Sequence, residues 1–183
     1  MSDPEFPAKH TTTTVTTSNT NVQTNIRYDP LYARTLPGLL KCFQLVVDAI
    51  VFISVSCSKF SAQSFMSFMS AICGFGFWFT GILMMFYTFH IIEKFYKVPW
   101  LKIELVYCAL WSLFLMIGST VCAPNLSADV TIGFVSFFGY LNMCAYGYDA
   151  FLKFRGVQDG EIAQGTREVT SKTTSNQDNT VAY

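Results

Sequence analysis

The segment that decides the fold is Leu36–Cys57, which reads LPGLLKCFQLVVDAIVFISVSC and carries Lys41 and Asp48 as its charged residues. A helix of about 20 apolar residues crosses the hydrocarbon core of a bilayer. Lipid offers no hydrogen-bond partner to an open backbone, so a run of this length and character predicts a transmembrane helix. Three further runs are similar, and the predicted spans are about 36–57, 65–92, 100–122 and 130–151.

The overall composition agrees with a membrane protein, because 51% of the 183 residues are hydrophobic and only 13% are charged. A soluble domain with that balance would leave apolar surface facing water. The formal net charge is zero and the sequence has no stripe of Lys and Arg. These features exclude a nucleic-acid-binding protein, which needs a basic face to neutralise phosphates.

Both ends of the chain are polar. Residues 1–27 and 156–183 are rich in Thr, Ser and Asn and contain too few apolar groups to form a core. We expect them to be disordered tails on either side of a transmembrane domain at 28–155. The predicted connections between spans are short, which makes neighbouring helices antiparallel. The predicted fold is an all-α membrane protein, an up-down-up-down bundle of four transmembrane helices.

The orientation follows from the positive charges, because Lys and Arg next to membrane spans stay on the cytosolic side. One end of the predicted bundle is flanked by a single basic residue, Lys59. The other end is flanked by Arg27, Arg34, Lys41, Lys94, Lys97, Lys102, Lys153 and Arg155. We therefore expect both tails to lie in the cytosol.

Asp48 is the most informative polar residue, because it falls deep within the first span, where an unpaired charge is costly. Ser112, Tyr140 and Asn142 lie at a similar depth in the third and fourth spans, so we predict that they surround it. One interpretation of this group is an ion or proton site, and the other is a polar clamp between helices. A transport pathway normally requires several buried charges along one track, and one such charge favours the clamp.

Glu104 and Asp149 lie closer to the cytosolic boundary, beside Lys102 and Lys153 respectively. Asp149 and Lys153 are four residues apart, which is the spacing of a helical ion pair. We predict that they form a structural ion pair at the interface. The second and fourth spans also carry many small residues, which allow helices to approach closely within the bundle or in a dimer.

Three cysteines invite specific hypotheses. Cys57 and Cys122 both fall at the non-cytosolic ends of their predicted helices, where the compartment is oxidising, and either form a disulfide or remain free. Cys42 beside Lys41 near the cytosolic face is a candidate for palmitoylation. The six cysteines are scattered without a CxxC motif, so the sequence predicts neither a zinc site nor any other cofactor site.

Two further features concern partners and catalysis. The last residues, Val181, Ala182 and Tyr183, have the apolar-x-apolar pattern of a ligand for a PDZ domain.

No nucleophile and base can be paired, because His10 lies in a tail and His90 at the end of the second span. We expect the protein not to be an enzyme.

Two stretches of sequence resemble a known family. The entry to the first span, RTLPGLLKCFQ at 34–44, resembles that of the MARVEL-domain proteins, in which a basic residue, a small polar residue, Gly and Leu precede a Gln. The end of the fourth span, AYGYDAF at 145–151, is similar to the plasmolipin and chemokine-like-factor branches of the family. The resemblance covers about 28–155.

The resemblance implies a role in organising membranes: association with cholesterol-rich domains, vesicle trafficking, membrane apposition or cell junctions, and assistance to other membrane proteins. It also implies lipids, other membrane proteins and trafficking factors as partners, in the plasma membrane or in endomembrane vesicles, with a homo-oligomer as a further option. The alternative hypotheses are a small channel or transporter that uses Asp48, and a cell-junction component. The short outer connections weigh against the junction component.

Overall fold

A computed structural model of the protein describes residues 11–21, 28–95, 97–164 and 166–176. Four long helices, Leu36–Ser56, Ser64–Thr88, Trp100–Cys122 and Val130–Gln158, dominate the chain and are called here the first to fourth helices. Each is long and apolar enough to cross a membrane. The predicted all-α bundle of four transmembrane helices is therefore confirmed.

The helices form a closed ring. Each helix packs against the next one in sequence, and the first packs against the fourth. The first helix begins and the fourth ends at one side of this ring, called here the terminal end. The opposite side, the loop end, carries the connections 57–63 and 123–129, and the latter begins with a 3-10 turn at Ala123–Asn125.

Two helix boundaries differ from the prediction. The second helix ends at Thr88 rather than near residue 92, because His90 adopts a left-handed conformation (φ 54°) that interrupts the helix before a single turn at Ile91–Lys94. The fourth helix continues to Gln158, beyond the apolar run that ended the prediction at 151. Gly160 (φ 71°) follows it and turns the chain away.

Polar caps fix the starts of the first and fourth helices. The Thr35 hydroxyl accepts from the Gly38 backbone N–H (3.2 Å) and donates to the Tyr32 carbonyl oxygen (2.7 Å), which ties the first helix to the 3-10 turn Pro30–Arg34. The Asp129 carboxylate accepts from the Thr131 backbone N–H (2.9 Å). Both are N-cap bonds that satisfy donors without an intrahelical partner.

The Asp129 cap predicts a pH dependence at the loop end. The Thr131 backbone N–H holds the pKa of the Asp129 carboxyl below its ordinary value. A carboxyl with a lowered pKa in the folded state stabilises above its unfolded pKa and loses this contribution as pH falls through the folded value. We therefore expect the protection factor of the Thr131 amide, which is its intrinsic exchange rate divided by the observed rate at the same pH, to fall on acidification. Asp129→Asn keeps an oxygen acceptor that does not titrate, so its protection factor should not change with pH; equal pH dependence in the wild type and the variant would contradict the assignment.

The loop-end half of the interior is mainly apolar. Its side chains, each at most 1% exposed, are Val51, Val55, Met66, Met69, Leu115, Ile132 and Val135. Ser119 and Ser136 lie at the same level, where the Ser136 hydroxyl donates to the Ser119 carbonyl oxygen (2.9 Å). Because lipid is as apolar as these side chains, they hold the helices together by van der Waals packing rather than by escaping water.

Two strands form a separate unit. Thr11–Asn21 and Thr166–Asn176 pair in antiparallel fashion, with Thr11 opposite Asn176. Both sequences are rich in Thr, and its β-branched side chain favours extended backbone. The expectation of tails without secondary structure therefore differs from the structure in these two stretches.

Candidate functional site

A cluster of four charged side chains lies inside the bundle near the terminal end. Lys41 of the first helix forms ion pairs with Glu104 of the third helix and with Asp149 of the fourth, the latter at 3.7 Å. Lys153 of the fourth helix pairs with Glu104 at 3.0 Å. All four residues are buried, and Lys153 is the most exposed of them at 6%. Two cations and two anions balance, so this charged cluster carries no net charge.

This arrangement differs from the ion pairs that the sequence predicted for Glu104 and Asp149. Lys153 pairs with Glu104 of the neighbouring helix rather than with Asp149 of its own. Glu104 pairs with Lys41 and Lys153 rather than with the exposed Lys102, because it faces the interior of the ring. Pairs between helices lock the bundle together, whereas pairs within one helix would not.

Tyr87 of the second helix brings the remaining helix into the charged cluster. Its hydroxyl donates to Glu104 (2.6 Å), and the ammonium groups of Lys41 and Lys153 lie 5.5 and 5.3 Å from the centre of its ring. Both distances are within the range of a cation–π interaction. Sequence reasoning missed Tyr87, because a Tyr near a predicted boundary resembles an interfacial residue.

The segments flanking the bundle also meet at Tyr87. The Tyr32 ring stacks on it at 4.9 Å between ring centres and 5° between planes. From the other end of the domain, the Gln164 amide donates to the Tyr87 carbonyl oxygen (2.9 Å). The segment before the first helix and the segment after the fourth helix therefore both contact Tyr87, which in turn contacts the charged cluster.

Asp48 lies deeper, in a polar group at about the middle of the bundle. The Asn142 amide donates to one of its carboxyl oxygens (2.8 Å), and the Tyr146 hydroxyl lies 2.9 Å from the other. The Cys73 thiol of the second helix lies nearby. Of the predicted neighbours, the structure places Asn142 at Asp48.

The other two predicted neighbours of Asp48 lie elsewhere. The Ser112 hydroxyl donates to the Met143 carbonyl oxygen (3.1 Å), and the Tyr140 hydroxyl shares a hydrogen bond with Thr120 (2.9 Å). Tyr140 is two residues from Asn142, so a helix with 3.6 residues per turn points the two side chains in different directions. The depth of a residue in the membrane does not show which way its side chain points. The spacing of Asn142 and Tyr146 by about one helical turn was the signal that both face Asp48.

A chain of hydroxyl groups leads away from Asp48 across the bundle. The Tyr146 hydroxyl lies 2.8 Å from that of Thr80, which lies 3.0 Å from that of Tyr107. The Tyr107 hydroxyl donates to the Gly76 carbonyl oxygen at 3.3 Å. The second, third and fourth helices therefore contribute to this hydroxyl chain, and Asp48 connects it to the first helix.

The charged cluster and the Asp48 group form one polar track along the seam between the first and fourth helices. The first helix contributes Lys41, Gln44 and Asp48 to this seam, and the Gln44 amide donates to Asp149 (3.4 Å). The fourth helix contributes Asn142, Tyr146, Asp149 and Lys153. The track therefore holds several buried charges, whereas the sequence indicated one. Its members recur every three or four residues, and that period was the signal available in the sequence.

Cys57 and Cys122, for which the sequence left a disulfide open, are both free thiols. Cys122 is fully buried in the apolar core, whereas Cys57 is exposed at the end of the first helix. The two side chains therefore face different surroundings, which corrects the hypothesis of a disulfide. Cys42, the candidate for palmitoylation, is half-buried with its sulfur 4.0 Å from that of Met84.

These positions predict the reactivity of the thiols. In the intact, detergent-solubilised protein, a charged maleimide should label Cys57 without prior reduction and leave Cys122 unmodified until unfolding. The measurement is mass spectrometry of the peptides before and after denaturation, with Cys57→Ser as the control. Labelling of Cys57 only after treatment with a reductant would reveal a bridge and contradict the assignment.

Small residues serve two purposes in the second and fourth helices. At Gly76 an added Cβ would lie 2.6 Å from the Trp111 indole nitrogen, and at Gly139 it would collide with the Ser119 hydroxyl. These glycines permit close contact between helices inside the ring. Gly74 and Gly81 instead lie on the outer face beside the first helix.

A lateral groove runs along this outer face between the first and second helices. It consists of three adjoining recesses with volumes of about 460, 290 and 350 Å³. Trp78, which is 69% exposed, lines all three recesses. The floor is formed by small residues, including Ser70, Ala71, Gly74 and Gly81. The groove faces outward, where lipid surrounds a membrane protein.

The comparisons with known proteins agree on one family. A family model named MARVEL and described as a membrane-associating domain matches residues 32–152. Plasmolipin from Rattus norvegicus is 25% identical over 162 residues, which cover 82% of this chain and 88% of plasmolipin. No solved structure matches the chain. The matched interval includes Asp48 and most of the charged cluster. The proposed PDZ ligand at 181–183 lies outside the residues that the structure describes.

Proposed function

Since this chain belongs to the MARVEL family, we propose that it organises membrane domains and takes part in vesicle trafficking or membrane apposition. It acts through lateral contacts of its helices with lipids and with other membrane proteins. The observation that carries the proposal is the division between the inside and the outside of the bundle. Buried charges compensate one another inside, and large apolar side chains cover the outside.

The lateral groove supports this proposal. Phe75 and Trp78 are among the most exposed apolar side chains of the chain, and they stand beside the small residues of the groove. A groove with a small-residue floor admits an acyl chain, a sterol or a neighbouring helix closely. We assign lateral recognition of lipids, including cholesterol, and of partner helices to this face.

The terminal end faces the cytosol in this proposal. Among the residues that the structure describes, its exposed basic side chains are Arg34, Lys94, Lys97, Lys102 and Arg155. These residues stay on the cytosolic side and attract anionic lipid headgroups. Cytosolic tails are then free to recruit trafficking factors or a PDZ domain through residues 181–183, and palmitoylation of Cys42 would strengthen membrane anchoring.

A channel or transporter is the second candidate, because the polar track contains several buried charges. Two features favour membrane organisation instead. The charges of the track are paired between helices, and Val51, Val55, Ile132 and Val135 close its loop end. A junction component is favoured less, because the loop-end connections 57–63 and 123–129 offer little surface to another cell.

A partition experiment tests the proposal. The full chain, fused to a fluorescent protein, is expressed in cells whose plasma membrane is then released as giant vesicles with coexisting ordered and disordered phases. We expect the wild type to concentrate in or enlarge the ordered phase and Gly74→Leu, which fills the groove, to lose this effect. Val106→Leu is the matched control, because Val106 is exposed on the third helix, away from the groove. An even distribution of the wild type, or equal behaviour of both variants, would contradict the proposal.

A further inference from the structure

Asp48 is a fully buried carboxyl group whose contacts include no cation in the described part of the chain. The groups that form hydrogen bonds with it are the Asn142 amide and the Tyr146 hydroxyl, and the Cys73 thiol lies nearby. Lys41 lies on the same helix but two turns away, about 10 Å along the axis. Its ammonium group is already paired with Glu104 and Asp149.

The titratable groups around Asp48 come from every other helix of the ring. The second helix contributes Cys73, the third Tyr107 and the fourth Tyr146. Ordinary Cys and Tyr side chains are uncharged at neutral pH. The carboxyl group therefore faces polar but neutral surroundings, unlike Asp149 and Glu104, which face lysines.

An ionised carboxylate in such surroundings is costly. Removing it from water costs several kcal/mol even after relaxation, and hydrogen bonds from neutral groups offset only part of this. A neutral carboxylic acid avoids most of the cost. We propose that Asp48 is a proton-binding site in the middle of the bundle, which holds a proton as a neutral acid hydrogen-bonded to Asn142 and Tyr146.

The distances between the oxygen atoms accommodate a bound proton. A neutral Asp48 accepts from Asn142 on one oxygen, and its other oxygen, 2.9 Å from the Tyr146 hydroxyl, would donate to that hydroxyl instead of accepting from it. Tyr146 then donates to Thr80, and Thr80 donates to Tyr107. Tyr107 completes the chain by donating to the Gly76 carbonyl oxygen. An ionised Asp48 must accept from Tyr146, which reverses the direction of every hydrogen bond in the chain. Thr80 then donates to Tyr146 and Tyr107 donates to Thr80, so that Tyr107 has no proton left for the Gly76 carbonyl oxygen.

The site binds a proton without conducting it across the membrane. Toward the loop end the seam continues with Val51, Val55, Ile132 and Val135, which are at most 1% exposed and cannot carry a proton. Exchange therefore occurs from the terminal end or when the bundle opens. This inference is independent of the proposed role in membrane organisation.

Infrared spectroscopy tests the assignment. The full chain in phosphatidylcholine liposomes at neutral pH is compared with Asp48→Asn in the carbonyl-stretch region of protonated carboxyl groups, in H₂O and in D₂O. We expect the wild type to show a band that shifts in D₂O and that Asp48→Asn lacks. Asp129→Asn is the matched control, because Asp129 lies in a loop-end cap; its spectrum in this region should equal that of the wild type.

The stability of the same variant provides a second readout. Asn has nearly the shape and polarity of a neutral acid, so Asp48→Asn should keep the helix content of the wild type and melt within a few degrees of it. Identical wild-type and Asp48→Asn spectra would overturn the proposal. So would an Asp48→Asn chain that fails to fold, because a site that already held a neutral group should tolerate the amide.

Discussion

Glu104→Gln should lower the free energy of unfolding by about 3–5 kcal/mol, the usual cost of removing one partner from a buried ion pair. Glu104 pairs with both Lys41 and Lys153, and its carboxylate accepts from Tyr87. With a neutral amide at position 104, Asp149 is the one remaining anion of the charged cluster for the buried ammonium groups of Lys41 and Lys153. The measurement is equilibrium unfolding of the purified protein in mixed micelles, followed by circular dichroism.

Two comparisons separate this effect from a general loss of stability. Glu161→Gln changes an exposed carboxylate at the same end of the bundle and should stay within about 0.5 kcal/mol of the wild type. Combining Glu104→Gln with Lys153→Met restores the charge balance and should recover part of the loss. A Glu104→Gln protein as stable as the Glu161→Gln control would show that the buried charges are not coupled.

Gly38→Ala should destabilise the bundle by about 1–3 kcal/mol, as expected of overpacking. An added Cβ at Gly38 would collide with the Tyr32 carbonyl oxygen, and it would lie 3.0 Å from the Ala33 Cα. Backbone atoms cannot rotate aside as a side chain can. The segment before the first helix must therefore move, which breaks the stacking of Tyr32 on Tyr87.

Gly133→Ala is the matched control for this substitution. Its added Cβ would make only an ordinary contact, 3.7 Å from a Leu126 methyl carbon. The higher helix propensity of Ala should leave this variant equal to or slightly more stable than the wild type. Thermal unfolding and limited proteolysis near residue 32 measure both effects. Equal melting temperatures and cleavage rates for the two variants would refute the collision.

The helices could be predicted from the sequence because the bilayer imposes a simple rule of length and polarity. The run Leu36–Cys57 needed no knowledge of its neighbours to be identified as a span, and its observed end at Ser56 differs by one residue. The break at His90 could not be predicted, because a left-handed residue that is not Gly depends on its surroundings. The extension of the fourth helix to Gln158 could not be predicted either. The rule of length and polarity applies only to the part of a helix inside the membrane, and polar residues can continue the helix beyond it.

The polar interior could be predicted only in part. The depth of Asp48 identified a polar contact between helices, and Asn142 was named correctly. The choice between Tyr140 and Tyr146 depends on the rotation of the fourth helix about its axis, which depth does not reveal. The pairing of Lys153 with Glu104 rather than Asp149 depends on which helices are neighbours in the ring. A local spacing rule favours partners within one helix and misses those across helices.

In the proposed function the polar interior of this bundle is closed, and the protein acts through its sides. The most direct test is a flux measurement on liposomes containing the purified full chain, with a proton gradient or a potassium gradient across the membrane. We expect wild-type and Asp48→Asn liposomes to leak no faster than empty ones. Flux through the wild type that Asp48→Asn abolishes would contradict it and would make the polar track a transport pathway.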